Sequence, residues 1–118
     1  MSLRIDHVQI AIPPDVEERA DRFYVDLLGL TRVEKPSSLA RRGGRWYACG
    51  ELQVHLGVDA QFVPSAKAHV AFRVSDYEGL ERRLREAAAL VQHDDEIPDV
   101  QRFYTWDPFG NRIEIVRD

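Results

Sequence analysis

Three of the four histidines of this chain, together with one glutamate, fall within segments whose apolar residues alternate with other residues. They are His7, His55, His69 and Glu114. Alternation with a period of two places the apolar residues on one face of a predicted strand and these four residues on the other face. Imidazoles and carboxylates are ligands of Zn²⁺, Ni²⁺, Mn²⁺ and Fe²⁺, and two histidines with one carboxylate leave positions open for a substrate. If the strands curve around a common concavity, the pattern indicates a catalytic metal site.

The four predicted strands share the division into an apolar face and a polar face. They span residues 5–12, 51–58, 68–74 and 111–116. The polar face carries four further groups that are suited to a substrate: Gln9, Gln53, Arg73 and Arg112. A guanidinium beside a metal suits a carboxylate or phosphate of a substrate, and we therefore take these four as candidate substrate-binding residues. The fourth histidine, His93, lies in an acidic segment and is predicted to be a surface residue.

The elements that position these residues occur twice. Apolar residues at helical spacing predict a helix after each opening strand, over residues 15–30 and 77–90. Short strand-like runs follow each helix, so each half of the chain reads βαβββ. The sequence predicts one α+β domain over residues 1–118, with module one at about 1–60 and module two at about 66–118. Residues 41–44 and 61–67 are expected to be loops, and the latter joins the modules.

Length and charge exclude several classes of function. The chain has 118 residues and a formal net charge of −4, which provides no basic field for nucleic acid. No apolar run is long enough to span a membrane, and the N-terminal segment does not resemble a signal peptide, so we expect a cytoplasmic protein with a small-molecule substrate. The single cysteine cannot form an internal disulfide, and no GxSxG nucleophile motif occurs.

Several runs of the sequence resemble the vicinal oxygen chelate superfamily, which is also called the glyoxalase, bleomycin resistance protein and extradiol dioxygenase superfamily. The resemblance covers essentially the whole chain and rests on IDHVQIAIP, ERADRFYVDLLGL, ELQVHLGV, AHVAFRVSD and RFYTWDPFGNRIEIV. The closing aromatic-x-x-DPxGNxxE pattern is the most specific of these. The resemblance implies paired modules that form a cupped, partly open mixed sheet with the helices outside, a homodimer, and a divalent metal (Zn, Ni, Mn or Fe) in the cup.

The resemblance also implies roles for individual residues. Its metal-ligand positions match His7, His69 and Glu114. The fourth position holds a glutamate in glyoxalase I and a glutamine in some epimerases, whereas here it is His55. An imidazole with an ordinary pKa near 6.5 can serve there as fourth ligand or as a proton-moving base. His55 and Glu114 are thus the predicted catalytic residues.

Three functions are compatible with this pattern. The first is a small metal-dependent lyase or isomerase that stabilises an enolate or oxyanion on the metal. The second is an Fe²⁺ extradiol dioxygenase, whose triad is two histidines and a carboxylate. The third is a metal-free resistance protein that binds an antibiotic or similar small molecule. The sequence leaves open whether the two modules of one chain close a cup together or exchange between the chains of a dimer.

Overall fold

A computed structural model describes all residues, 1–118, and the chain divides into two compact units, residues 1–63 and 64–118. Both units have the order βαβββ. The first contains strands β1 (Val8–Ile12), β2 (Thr31–Val33), β3 (Arg45–Cys49) and β4 (Leu52–Val58), with helix α1 (Glu17–Asp21) after β1. The second contains strands β5 (Val70–Val74), β6 (Val91–Asp94), β7 (Arg102–Trp106) and β8 (Arg112–Arg117), with helix α2 (Tyr77–Glu86) after β5.

The two sheets have the same topology. Their strand orders are β1-β4-β3-β2 and β5-β8-β7-β6. In each sheet the first strand of the unit lies parallel to the last, and the other neighbours are antiparallel. Each sheet is therefore mixed and open at both edges. The predicted α+β class and the repeated βαβββ order are confirmed.

Each sheet packs its apolar face against the helical segment of its own unit. In the first unit, Tyr24 stacks on Tyr47 of β3 with ring centroids 5.6 Å apart, and both side chains are fully buried. In the second unit, Tyr77 of α2 contacts Phe103 of β7 at 5.2 Å. Burial of these apolar faces provides most of the stabilisation of each unit. The opposite face of each sheet is left to carry the polar residues.

The first helical segment differs from the predicted helix over residues 15–30. α1 ends at Asp21, and Arg22–Leu27 form a π-helical turn. Within it, the Leu28 amide donates to the Phe23 carbonyl, five residues back. A π turn adds a single residue to a helix and leaves its apolar face almost unchanged, so hydrophobic spacing does not reveal it. Gly29 ends the segment with φ of +83°, as its position predicted.

Three smaller predictions need correction. The expected loop at 41–44 begins inside a 3₁₀ helix, Ser37–Arg42, which follows Pro36. The second helix ends at Glu86 rather than near 90, because Ala88 turns to a φ of +62°. The acidic segment that contains His93 forms strand β6 rather than a connection between elements, and the half-exposed side chain of His93 agrees with its predicted place at the surface. None of the helices combines the length and apolarity needed to cross a membrane.

Candidate functional site

In the first unit, a stack of three rings lies on the polar face of the sheet. The register pairs His55 of β4 with Gln9 of β1 on one side and with Trp46 of β3 on the other. The His55 ring is stacked on Trp46 at 4.1 Å with an interplanar angle of 6°, and on His7 at 4.2 Å and 17°. Both faces of the His55 ring are therefore covered, and only its edge can meet a ligand.

Burial of the His55 ring favours its neutral form. The residue is 5% exposed, and burial lowers its pKa; Lys35 nearby lowers the pKa to a smaller extent, and the Asp6 carboxylate opposes this. Its Nε2 lies 3.3 Å from Gln53 Oε1, and the Nδ1 atom of His7 lies 2.8 Å from Asp6 Oδ2. A neutral imidazole has one nitrogen with a free lone pair, which can accept a proton or bind a metal.

A pocket of about 560 Å³ opens over this ring stack. All four residues that the sequence predicts for this unit line it: His7, Gln9, Gln53 and His55. Gln9 lies directly over Gly57, where an added Cβ would come within 2.8 Å of the Gln9 Nε2 atom. Glycine at this position therefore makes room for the Gln9 side chain in the pocket.

In the second unit, His69 and Glu114 face each other. His69 Nε2 lies 2.9 Å from Glu114 Oε1. The second carboxylate oxygen of Glu114, Oε2, accepts a hydrogen bond of 3.2 Å from Arg102 Nη1, and Arg102 Nη2 lies 3.1 Å from Asp94. Arg102 thus fixes the orientation of the carboxylate and leaves Oε1 directed at the imidazole.

The other side of the His69 ring is held by backbone and by an arginine. Nδ1 lies 2.9 Å from the carbonyl oxygen of Lys67 and 3.1 Å from Arg112 Nη2, which also donates to that carbonyl at 2.9 Å. Nε2 donates to the Glu114 carboxylate, since a carboxylate only accepts. With the ring proton on Nδ1 and donated to the Lys67 carbonyl instead, Nε2 would offer its lone pair to a metal. A hydrogen bond from the remote ring nitrogen to a carbonyl is the usual orientation of a metal-binding histidine.

The two clusters occupy equivalent positions in their sheets. In the first unit, His55 on the last strand is paired with Trp46; in the second, Glu114 on the last strand is paired with Tyr104. The ring of Tyr104 contacts His69 edge-on at 5.7 Å. The internal repeat therefore places a histidine from the chain just before the opening strand, a polar group from the last strand and an aromatic ring together in each unit.

In the second unit, the imidazole of His69 and the carboxylate of Glu114 are donor groups of the kinds that divalent metals bind. No three His, Cys, Asp or Glu side chains are grouped within either unit in a way that would hold an ion. His69 Nε2 and Glu114 Oε1 lie 2.9 Å apart, at the distance of a hydrogen bond or an ion pair.

The remaining predicted residues differ in their surroundings. The Arg112 guanidinium lies 4.9 Å from the centre of the Tyr104 ring, against the His69 cluster. Arg73 is exposed and contacts none of the other predicted site residues. The sequence did not single out Arg102, which orients Glu114. Its position on β7 two residues before Tyr104, which places both side chains on one face of the strand, was the available signal.

Known proteins similar to this chain are found among solved structures. Neither the protein-family models nor the curated proteins include a match to this chain. Among solved structures, a protein from Bacillus anthracis assigned to the glyoxalase family is 42% identical, with a TM-score of 0.94 over 100% of this chain and 97% of that one.

Two more distant structures share the fold. The fosfomycin resistance protein FosX from Listeria monocytogenes is 9% identical, with a TM-score of 0.80 over 100% of this chain and 95% of that one. Lactoylglutathione lyase from Agrobacterium tumefaciens is 20% identical, with a TM-score of 0.68 over 93% and 91% of the two chains.

Proposed function

Because this chain belongs to the glyoxalase family, within the vicinal oxygen chelate superfamily, we propose that it is a metal-dependent lyase or isomerase. The observation that carries this proposal is the contact between His69 and Glu114. His69 Nε2 and Glu114 Oε1 lie 2.9 Å apart, and each group is positioned from behind, the carboxylate by a hydrogen bond from Arg102 and the ring by the contact of its Nδ1 with the Lys67 carbonyl oxygen. Such outer contacts are typical of metal ligands.

In this proposal His7, His69 and Glu114 bind a divalent ion of the Zn, Ni, Mn or Fe type. Bound there, the ion would supply Lewis acidity to a substrate oxygen, which favours an enolate or an oxyanion. The two units that provide the ligands belong either to one chain or to two chains of a homodimer, which we propose as the working assembly.

The other residues of the two clusters act on the substrate and on its protons. His55 is the fourth ligand or, through the nitrogen at its exposed edge, the group that accepts a proton from the substrate. Because the rings of Trp46 and His7 cover both faces of the His55 ring, a substrate can approach this nitrogen only in the plane of the ring. Gln9 and Gln53 line the same pocket and offer amide groups to substrate oxygens, and Arg112 offers a guanidinium group beside His69. Arg73, which lies apart from the His69 cluster, is proposed to bind substrate from its exposed position on β5.

The metal requirement is tested by elemental mass spectrometry on protein purified without a histidine tag. We expect near-stoichiometric metal in the wild type and its loss in His69→Ala and in Glu114→Gln. His93→Ala is the matched control, since His93 also contacts a glutamate, Glu81, at 2.8 Å but lies outside both clusters. If Glu114→Gln keeps stoichiometric metal, the ligand assignment is wrong; if no variant or wild-type protein takes up metal, a metal-free binding protein is the better description.

The role of His55 is tested separately from metal binding. His55→Gln retains a polar side chain at the same place and removes the imidazole. Enolisation is followed as hydrogen–deuterium exchange of a small ketone, dihydroxyacetone, in the presence of saturating metal. Retained metal with lost exchange identifies His55 as the base, whereas lost metal identifies it as a ligand.

Light scattering tests the proposed homodimer, for which we expect twice the chain mass of 13.6 kDa.

A further inference from the structure

Two cationic side chains border the pocket over the ring stack of the first unit. Arg42, the last residue of the 3₁₀ helix, and Lys35, just before it, both line the pocket that contains His7 and His55. The pocket wall is therefore positively charged, although the chain as a whole carries a net charge of −4.

These cations are not neutralised by acids in the pocket. Asp6 is the acidic residue of the lining, and its carboxylate is already engaged with His7 at 2.8 Å. Arg42 is exposed and has no hydrogen-bond or ion-pair partner in the structure, whereas Lys35 donates to the carbonyl oxygen of Gly43. An arginine with five free donors beside a pocket can bind an oxyanion in a bidentate manner.

The neighbouring groove clarifies which cation is the more available. Glu17 and Glu34 line that groove together with Lys35 but without Arg42. Part of the Lys35 charge therefore faces acidic side chains, while the Arg42 charge does not. Arg42 is thus the principal candidate for an anion contact, and Lys35 reinforces the positive potential beside it.

Besides its charged groups, its two histidines and its two glutamines, the pocket has an apolar part. Trp46 contributes the indole that covers His55, and Leu39, Leu56 and Val58 add aliphatic side chains to the lining. A ligand that fills this pocket must combine an apolar or planar body with a negatively charged end. A small neutral polar molecule would leave the guanidinium without a partner.

We propose that Arg42, with Lys35, binds an oxyanion group, a carboxylate or a phosphonate, on a small substrate whose apolar part lies against Trp46. This inference rests on the proposed function in taking the pocket as part of the reaction site, and it names the class of substrate. The carboxylate or phosphonate would be held at the 3₁₀-helix side of the pocket, and the reacting end of the substrate would lie toward His7 and His55.

The test uses three planar probes, benzoate, phenylphosphonate and the neutral analogue benzamide. Binding is followed by tryptophan fluorescence in a Trp106→Phe background, which leaves Trp46 as the reporter. Titrations are run with the full chain in excess chelator and repeated with metal. We expect both anions to bind at least tenfold more tightly than benzamide, and to lose that advantage as ionic strength rises.

Two variants separate Arg42 from general charge effects. Arg42→Gln should weaken both anions about tenfold and leave benzamide unchanged, while Arg41→Gln, on the same 3₁₀ helix but outside the lining, should change neither. Equal affinity for benzoate and benzamide, or equal effects of the two variants, would overturn the inference. If the protein takes up no metal but still prefers the anions in excess chelator, the proposed function is contradicted and the anion inference is not.

Discussion

Replacing Asp21 by asparagine tests how the helical segment of the first unit holds strand β3, which carries Trp46. Asp21 Oδ1 accepts a hydrogen bond of 2.7 Å from the hydroxyl of Tyr47 and one of 3.1 Å from Arg45 Nε. Tyr47 and Arg45 flank Trp46 on β3, and their side chains point to the face opposite the indole. The carboxylate therefore fixes the strand from the side away from the site.

The expected loss of stability follows from these contacts. A hydrogen bond to a charged group contributes about 1.5–3 kcal/mol, against about 1 kcal/mol for a neutral one. Asparagine keeps one acceptor oxygen but not the charge, so each of the two hydrogen bonds is weakened rather than removed. The expected loss in the free energy of unfolding is therefore about 2 kcal/mol. The exposed Arg32, 3.8 Å from Asp21, adds little. For a chain of this size, about 2 kcal/mol lowers the melting temperature by roughly 8 °C.

The effect should depend on pH in a defined direction. Burial raises the pKa of Asp21, but the hydrogen bonds from Arg45 and Tyr47 outweigh it and hold the pKa below its usual value. The stabilisation is therefore present above about pH 4, where the carboxyl of the unfolded chain titrates, and is lost as pH falls through the lower pKa of the folded state. The difference in the free energy of unfolding between wild type and Asp21→Asn should be constant from about pH 5 to 7 and should shrink below about pH 4.

Urea unfolding across this pH range measures the gap. The matched control is Asp26→Asn, an exposed carboxylate in the same helical segment with no partner, which should change the free energy of unfolding by less than about 0.5 kcal/mol. Equal losses for the two variants, or a gap for Asp21→Asn that widens in acid, would refute the reasoning.

Substitutions at Gly44 and Asp107 probe turns that position the sheets. Gly44→Ala should cost about 3 kcal/mol or more in unfolding free energy, because its Cβ would lie 2.1 Å from the Leu56 carbonyl oxygen and its φ is +83°. The control is Gly50→Ala, which should cost only about 1 kcal/mol, because Gly50 has a φ of +58° but open space around it. Asp107→Ala should cost about 3 kcal/mol, because the buried carboxylate accepts from two turn amides and the Asn111 side chain, and Asp107→Asn should recover part of the loss. Urea unfolding checks both, and a loss for Gly44→Ala no greater than that for Gly50→Ala would contradict the steric argument.

Alternation and helical spacing were sufficient to predict the repeated fold. Val8, Ile10 and Ile12 are less exposed than the residues between them, as the period of two requires, and Asp76 caps α2 by accepting from the Gly79 amide. Strands β2 and β6 were not distinguished individually, because short polar strands such as Val91–Asp94 carry little apolar periodicity. Their existence depends on pairing with β3 and β7, which local sequence does not encode.

The candidate site was predictable as a list of residues and not as a set of contacts. Face assignment places His7 and His55 on one surface, but only the strand register shows that Trp46 covers the second face of His55. Similarly, the sequence alone is compatible with an Arg102 side chain that is exposed to solvent. Its contact with Glu114 depends on the pairing of β7 with β8 in the observed register.

The central claim is that His69 and Glu114 bind a metal ion through the two atoms that now face each other. Anomalous diffraction at the metal absorption edge, from crystals grown with the ion that the purified protein carries, tests it most directly. We predict an anomalous peak within bonding distance, about 2.1 Å, of both His69 Nε2 and Glu114 Oε1, with His7 as a further ligand. A peak elsewhere, or full ion occupancy with His69 and Glu114 still in direct hydrogen bond, would contradict the claim.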